Sequence, residues 1–309
     1  MLNLIKRLWA SKSLNHKHPL HFHELTKDEL VDQYPDALHN LYTGKEDGFL
    51  VRGVLSQAQV KNILANFQQV LDDEPAFTDV GFTYPTVFAE FSNRVLQGLP
   101  EEKKQEGISA YFAKNERFKN TFQDRFKVDL PKILNDLFLQ LGGSRAVSVP
   151  RGIKEEGHYP FATFRYLVPK QGMMAVHCGN YFQDAFRQVY EHLSSIVKVK
   201  NQMSFFIVLQ EAEAGGELSV FNFRWQEGQS KINPSEDREI YLPNGKPYFI
   251  DKDKGMQKVM LKPKAGDMIL FQGGSIWHRV EPIRGQQNRI TFGGFMGFSE
   301  DEKTVHYWS

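Results

Sequence analysis

A single cysteine, Cys178, occurs among 309 residues. That excludes an intrachain disulfide and the disulfide framework of a small secreted scaffold; a lone thiol suits a reducing, cytoplasmic setting. Net charge is nearly absent, with 38 basic and 37 acidic side chains leaving a formal +1. Such a balance gives no electrostatic reason to bind nucleic acid or an anionic membrane. No run approaches the ~18 apolar residues of a membrane span. The opening MLNLIKRLWASKSLNHKHP lacks the sustained apolar core of a secretory signal. Internal repeats and low-complexity tracts are missing too. What is plentiful is aromatic surface: 13 % of the residues, with 25 Phe. Aromatics in that number build a core, line a pocket for an apolar ligand, or do both.

The length suits one large domain or two small ones. The first third reads as helical. Ser56 and Gln59 form a capping-box pattern before the periodic run 58–71. Pro100-Glu101-Glu102 opens a second helix, and Asp129-Leu130-Pro131 a third that ends at Gly142-Gly143. From about residue 160 the pattern changes to strands: 161–168, 173–178, 204–210, 217–225, 258–262, 268–271, 277–280 and 289–296. A helix is expected at 184–197. About eight strands joined by tight turns favour antiparallel pairing in a barrel or two-sheet jelly roll. The expectation is one α+β domain over 1–309, mainly β in its core. Its helical part reaches about 145, and a double-stranded β-helix fills 146–309. Residues 226–257 form a long polar insertion, a length often seen in lids or mobile loops.

The chemistry concentrates in the strands. His177 ends one apolar strand in MMAVHCGNY, and His278 lies in another in SIWHRVEP. Two neutral imidazoles from different strands can hold one divalent metal. Arg289 and Thr291 are two apart, so they share a strand face and can clamp a carboxylate. Non-heme Fe(II) oxygenases use two His and one carboxylate, leaving open positions. The carboxylate usually stands two residues after the first His, and here that position is Gly179. If the strand continues, Gly179 shares the face of His177 and leaves a void beside the metal. A monoatomic anion such as a halide would bring the charge that the carboxylate lacks. Taken singly, a strand-end His, an Arg-x-Thr or an HxG is commonplace, and most are structural. Two other readings stay open at this point: a hydroxylase or desaturase with water in the gap, and a non-catalytic cupin-like protein with a decayed site. His16, His18, His21 and His23 crowd the N-terminus, and such a cluster binds metal adventitiously more often than functionally.

Several segments together resemble the freestanding Fe(II)/2-oxoglutarate-dependent aliphatic halogenases that act on hapalindole- and welwitindolinone-type alkaloids. They are Ala162–Arg165 (ATFR), Ala175–Asn180 (AVHCGN), Gln202–Leu209 (QMSFFIVL), Glu213–Phe221 (EAGGELSVF), Gly266–Gly274 (GDMILFQGG), His278–Val280 (HRV), Gly293–Ser299 (GGFMGFS) and Tyr307–Ser309 (YWS). GFLVRGVL at 48–55 extends the resemblance toward the N-terminus. The resemblance implies iron on His177 and His278, chloride or bromide beside Gly179, and the distal carboxylate of 2-oxoglutarate on Arg289 with Thr291. It implies O2 as co-substrate and places Ser204 near the oxidising centre. Met174 and Phe182 fall where that family lines its substrate pocket, and Arg165 matches a family arginine without an evident role. The implied substrate is a freestanding small molecule such as an indole alkaloid, with no carrier protein as partner. The chain departs from the family at Met174, at Cys178, in FTDVGFTYPTVF (77–88) and in the 226–257 insertion, the regions that set substrate choice.

Overall fold

The computed structural model describes residues 19–73, 81–170, 172, 174–231, 239–250 and 252–309. Its first strands are β1 (Phe22–Thr26), β2 (Gly48–Arg52), β3 (Gly81–Tyr84), β4 (Ala146–Ser148), β5 (Thr163–Leu167), β6 (Met174–His177), β7 (Met203–Gln210) and β8 (Leu218–Arg224). Then follow β9 (Ser230–Lys231), β10 (Glu239–Tyr241), β11 (Pro247–Phe249), β12 (Lys258–Leu261), β13 (Met268–Phe271), β14 (Ile276–Val280), β15 (Arg289–Phe298) and β16 (Thr304–Trp308).

These strands form the two facing sheets of a jelly roll. The major sheet runs β1-β2-β13-β7-β15-β16-β4, with β5 and β3 continuing from β15; the minor sheet runs β12-β8-β14-β6. Side chains alternate across β7. Met203, Phe205, Ile207 and Leu209 face the helices, while Phe206 and Val208 join Leu218, Val220, Ile269, Phe271, Ile276 and Val280 between the sheets. The period of two puts Ser204 on that inner face as well.

The helices cover the outside of the major sheet. Helix Gln57–Ala65 starts at the expected capping box, with Ser56 Oγ accepting from Gln59 N and Gln59 returning the bond. Helix Glu101–Phe126 follows Pro100 and buries Tyr111, Phe112, Phe118, Phe122 and Phe126, spaced for one face. Phe122 packs on Phe164 of β5 and Phe292 of β15, with ring centroids 6.2 and 5.5 Å apart. Helix Leu130–Leu141 is capped by Asp129, whose Oδ1 accepts from Lys132 N at 3.1 Å. Burying each large apolar side chain contributes about 1.5–3 kcal/mol, so this aromatic layer holds the helices to the sheet. No described helix is long and apolar enough to cross a membrane.

Four details differ from the sequence reading. Strands β1, β2 and β3 lie in the part read as helical, and β4 (146–148) was not among the expected strands, yet all four join the major sheet, β1 and β4 by parallel pairing. The helix expected over 184–197 is two helices, Gly179–Ala185 and Arg187–Ser194, broken where Phe186 takes φ −123°. The strand carrying His177 ends at His177, not at 178, and Met173 lies outside the described residues. The 226–257 insertion contains a small antiparallel sheet, β11-β10-β9. Its Ile240 and Ile250 pack with Val176, Phe223 and Trp277 behind the minor sheet. It braces the histidine strands from outside; its described residues are not walls of the aromatic cavity considered below.

Candidate active site

Strands β6 and β14 pair antiparallel with His177 directly opposite His278. The imidazole centroids are 4.3 Å apart. Each Nδ1 lies against the carbonyl two residues upstream: His177 on Ala175 O at 2.6 Å, His278 on Ile276 O at 2.7 Å. A carbonyl only accepts, so both Nδ1 atoms carry the proton and both Nε2 atoms carry the lone pair. That is the tautomer a metal ligand needs, set by the main chain. Two such donors on facing strands fit a divalent iron, and no group of three or more His, Cys, Asp or Glu suited to a metal occurs among the described residues.

Burial pushes the His278 pKa down to about 4, and the charge of Arg165 adds to the effect, against the bond to Ile276 O that raises it. The folded value lies below the unfolded value of 6.5. Stability from this group is therefore complete above about pH 6.5 and is lost as pH falls toward 4. The metal-free protein is expected to lose about 2 kcal/mol between pH ~7.5 and ~5 through His278. Denaturant unfolding at the two pH values measures this, and His278→Phe should flatten that share of the slope.

Gly179 is not on the strand face of His177. Cys178 caps the helix Gly179–Ala185, and Gly179 is its first residue. Its side-chain space is nevertheless filled from elsewhere. A Cβ there would lie 2.8 Å from Gln202 Nε2 and 3.1 Å from both Gln202 Cγ and Gly274 Cα. Gly179 N donates to Gly273 O and Asn180 N to Gly274 O, so the β13–β14 turn locks this helix start. Ser204, 9 % exposed, lies against the same turn: a Cβ on Gly273 would come within 2.2 Å of its Oγ. Asn180 does not project from a strand; its amide forms a two-bond clasp with Asn201 at 2.9 and 2.8 Å. Cys178 is fully buried and burial raises its thiol pKa, so it packs as a small apolar residue.

Arg289 and Thr291 are 5 % and 1 % exposed, at the start of β15. The Arg289 guanidinium has no hydrogen bond or ion pair among the described residues; it stacks 5.3 Å from the Phe206 ring. It borders a cavity of about 150 Å³ beside the β7–β8 turn. Gly216 forms part of that wall at φ +73°, and a Cβ there would press within 2.9 Å of Arg289 Cδ. Burial pushes the Arg289 pKa down to about 10, with Arg165 adding to the effect. A buried, unpaired guanidinium suits an anionic ligand such as the carboxylate of 2-oxoglutarate. Arg165 is the backbone partner of Thr291, lies 5.5 Å over the Phe295 ring, and is likewise pushed down to about 10 by burial.

Met174 and Phe182 both line a cavity of about 370 Å³, together with Phe82, Phe88, Arg165 and Phe295 among others. Part of the divergent 77–88 stretch thus forms this wall, while 77–80 lies outside the described residues. The two histidines are not cavity walls; Phe182, 5.4 Å from the His177 ring, connects the two regions. Sequence reasoning missed Gln202 and Gln183. Gln202 stands just before β7 in a quoted segment, but nothing in the sequence tells that it meets Gly179. Of the N-terminal histidines, His16 and His18 lie outside the described residues, and His23 Nε2 is 2.7 Å from Glu46.

The fold and the site define the class: a double-stranded β-helix of the Fe(II)/2-oxoglutarate oxygenase kind. The chain belongs to one family within it, since the model of the carrier-protein-independent halogenase WelO5 matches residues 20–309. It is accordingly a non-heme Fe(II)- and 2-oxoglutarate-dependent halogenase, an oxidoreductase using O2 and halide on small molecules that need no carrier protein. In fold it is similar to an N-substituted L-amino acid dioxygenase from Burkholderia ambifaria AMMD, at 17 % identity and a TM-score of 0.54 over 88 % of this chain and 90 % of that one. A Pseudomonas putida prolyl-4-hydroxylase is similar at 12 % identity and a TM-score of 0.40, over 84 % of this chain and 95 % of that one. No curated protein matches the sequence.

Proposed function

We infer that the protein chlorinates or brominates an unactivated sp3 carbon of a freestanding, largely apolar natural product, with an indole alkaloid as the first candidate. The observation that carries this reading is the cross-strand His177–His278 pair, with a glycine, Gly179, at the sequence position two after His177 where a carboxylate ligand usually stands. His177 and His278 hold the iron through Nε2. Arg289, with Thr291 beside it, takes the distal carboxylate of 2-oxoglutarate. Gly179 brings no ligand of its own, so the metal position that a carboxylate usually takes goes to halide. Bound iron supplies the oxidising power that removes a hydrogen atom from carbon and returns a halogen.

The other residues set what reaches that centre. Met174 and Phe182 present the substrate from the aromatic cavity, whose apolar walls exclude water that would compete with halide. Ser204 lies beside the Gly273 turn and offers a hydroxyl near the reacting face. One buried thiol, Cys178, supports a reducing, cytoplasmic setting.

The test is turnover with Fe(II), 2-oxoglutarate and O2 on a panel of indole alkaloids and terpenoids, in chloride, in bromide and without halide. The expected product carries chlorine in one buffer and bromine in the other by mass spectrometry, with succinate formed alongside. Products that gain only oxygen in every buffer would favour a hydroxylase, and absence of iron-dependent succinate would remove the enzymatic reading.

A further inference from the structure

The aromatic cavity of about 370 Å³ has a cation in its wall, Arg165. Phe164 and Tyr166 of β5 pack with the helices, so strand alternation turns Arg165 and Leu167 toward the space between the sheets. Arg165 stands opposite Thr291 on one side and Thr83 on the other, in a row across β15, β5 and β3. Its guanidinium lies 5.5 Å over the Phe295 ring, and Phe295 is the strand partner of Ser204. Its charge acts on both His278 and Arg289. Arg165 therefore borders the cavity on one side and the groups that serve the metal and the cosubstrate on the other.

This guanidinium has donors to spare. It carries five N–H groups and accepts nothing. Among the described residues it has no hydrogen bond or ion pair. Glu90, in the same wall, accepts from Thr83 Oγ1 at 2.9 Å. Tyr190 also lines the cavity, close enough for the Arg165 charge to act on its hydroxyl. The two arginines open on different spaces. Arg289 borders the small cavity beside the β7–β8 turn and Arg165 does not; Arg165 lines the aromatic cavity and Arg289 does not. A dicarboxylate end held on Arg289 thus leaves the Arg165 donors unserved. 2-Oxoglutarate and one halide balance Fe(II) and Arg289, so the charge of Arg165 is left over. An apolar molecule that fills the cavity drives solvent from these N–H groups. Without an acceptor of its own it would strand them, at a cost in affinity.

We propose that Arg165 is a specificity-determining residue: it donates to an acceptor group, a carboxylate or a strongly dipolar group, that the substrate carries on an otherwise apolar skeleton. The acceptor docks on Arg165 with the Tyr190 hydroxyl beside it, and the skeleton fills the space between Phe82, Phe88, Met174 and Phe182. That contact fixes which end of the molecule enters first and so which carbon is offered to the metal. The proposal rests on the reading of this cavity as the substrate pocket of a halogenase.

The test is ligand binding, read without turnover. Protein loaded with Fe(II) and 2-oxoglutarate in the absence of oxygen is titrated calorimetrically with indole butyric acid, the corresponding nitrile and the corresponding butylindole. Wild type is expected to bind the acid, the nitrile or both about tenfold or more tightly than butylindole. Preference for the acid alone assigns an anionic acceptor, and preference for both a neutral one. Arg165→Met should erase the preference while 2-oxoglutarate affinity stays within about twofold of wild type. Equal affinities for the three ligands in wild type overturn the proposal, as does a preference that persists in Arg165→Met. A loss of 2-oxoglutarate affinity in Arg165→Met as large as that in Arg289→Met also overturns it, because the guanidinium then serves the cosubstrate. If Arg165→Met fails to fold, Arg165→Gln is read by the same criteria. Products that carry halogen without any acceptor preference sink this proposal and leave the halogenase reading intact. An acceptor preference with products that gain only oxygen does the reverse.

Discussion

Gly179→Asp is expected to abolish chlorination while iron and 2-oxoglutarate still bind. An aspartate there would complete the two-His, one-carboxylate set, occupy the position the halide needs, and leave hydroxylation as the remaining outcome. The substitution is not free in this chain. Its Cβ meets Gln202 Nε2 at 2.8 Å and the Gly274 backbone at 3.1 Å. The end of the glutamine can swing aside, but the Gly274 Cα must yield by a few tenths of an ångström, so a loss of about 1–3 kcal/mol is expected from overpacking. Gly179→Ala separates the two effects, since it crowds the same atoms without a carboxylate. Product analysis by mass spectrometry with iron content decides: chlorination by Gly179→Asp at the wild-type rate would sink the halide site. Equal loss in Gly179→Ala would assign the effect to crowding.

The second large effect concerns Arg289. Removing one partner of a buried charge pair costs about 3–5 kcal/mol, so Arg289→Met should raise the 2-oxoglutarate requirement on the order of 100-fold or more. Rate at saturating cosubstrate should change less. Arg289→Lys keeps a charge but not the planar fork, and it should fall between. A second readout has the opposite sign. In the absence of ligand this guanidinium is buried and unpaired, and its pKa is depressed to about 10. Arg289→Met should therefore raise the melting temperature of the ligand-free protein and remove most of the stabilisation that 2-oxoglutarate gives the wild type. Unchanged thermal stabilisation by 2-oxoglutarate would place the dicarboxylate elsewhere.

The barrel was legible because its strands alternate and its turns carry Gly and Asp, as in Lys264-Ala265-Gly266-Asp267 ahead of β13. The pairing of two sequence-quoted motifs is visible in the fold: His177 and His278 are cross-strand partners, and Arg289 and Thr291 share β15. Long-range placement was not legible. Strand β1 pairs parallel with β2, 26 positions on, and β4 with β16, 158 positions on, and no local period signals that. The fate of Gly179 was misread for a related reason. Cys178 continues the extended backbone of β6 at φ −147°, so the chain reads as strand until contacts with Gly273 and Gly274 turn it into a helix. The Gln183–Gln202 pair spans nineteen positions, and two glutamines at that spacing carry no pattern at all.

Both imidazoles are aimed by carbonyls of their own strands, Ala175 O and Ile276 O. Main-chain oxygens survive any substitution that leaves the strand intact. The side chains around these histidines can therefore change without re-aiming the imidazoles, and Met174, one residue before Ala175, already faces the cavity. A scaffold arranged in this way separates selectivity from reactivity. Its cavity can be recut for a different carbon skeleton, by natural divergence or by directed evolution, while the orientation of the two imidazoles is inherited unchanged.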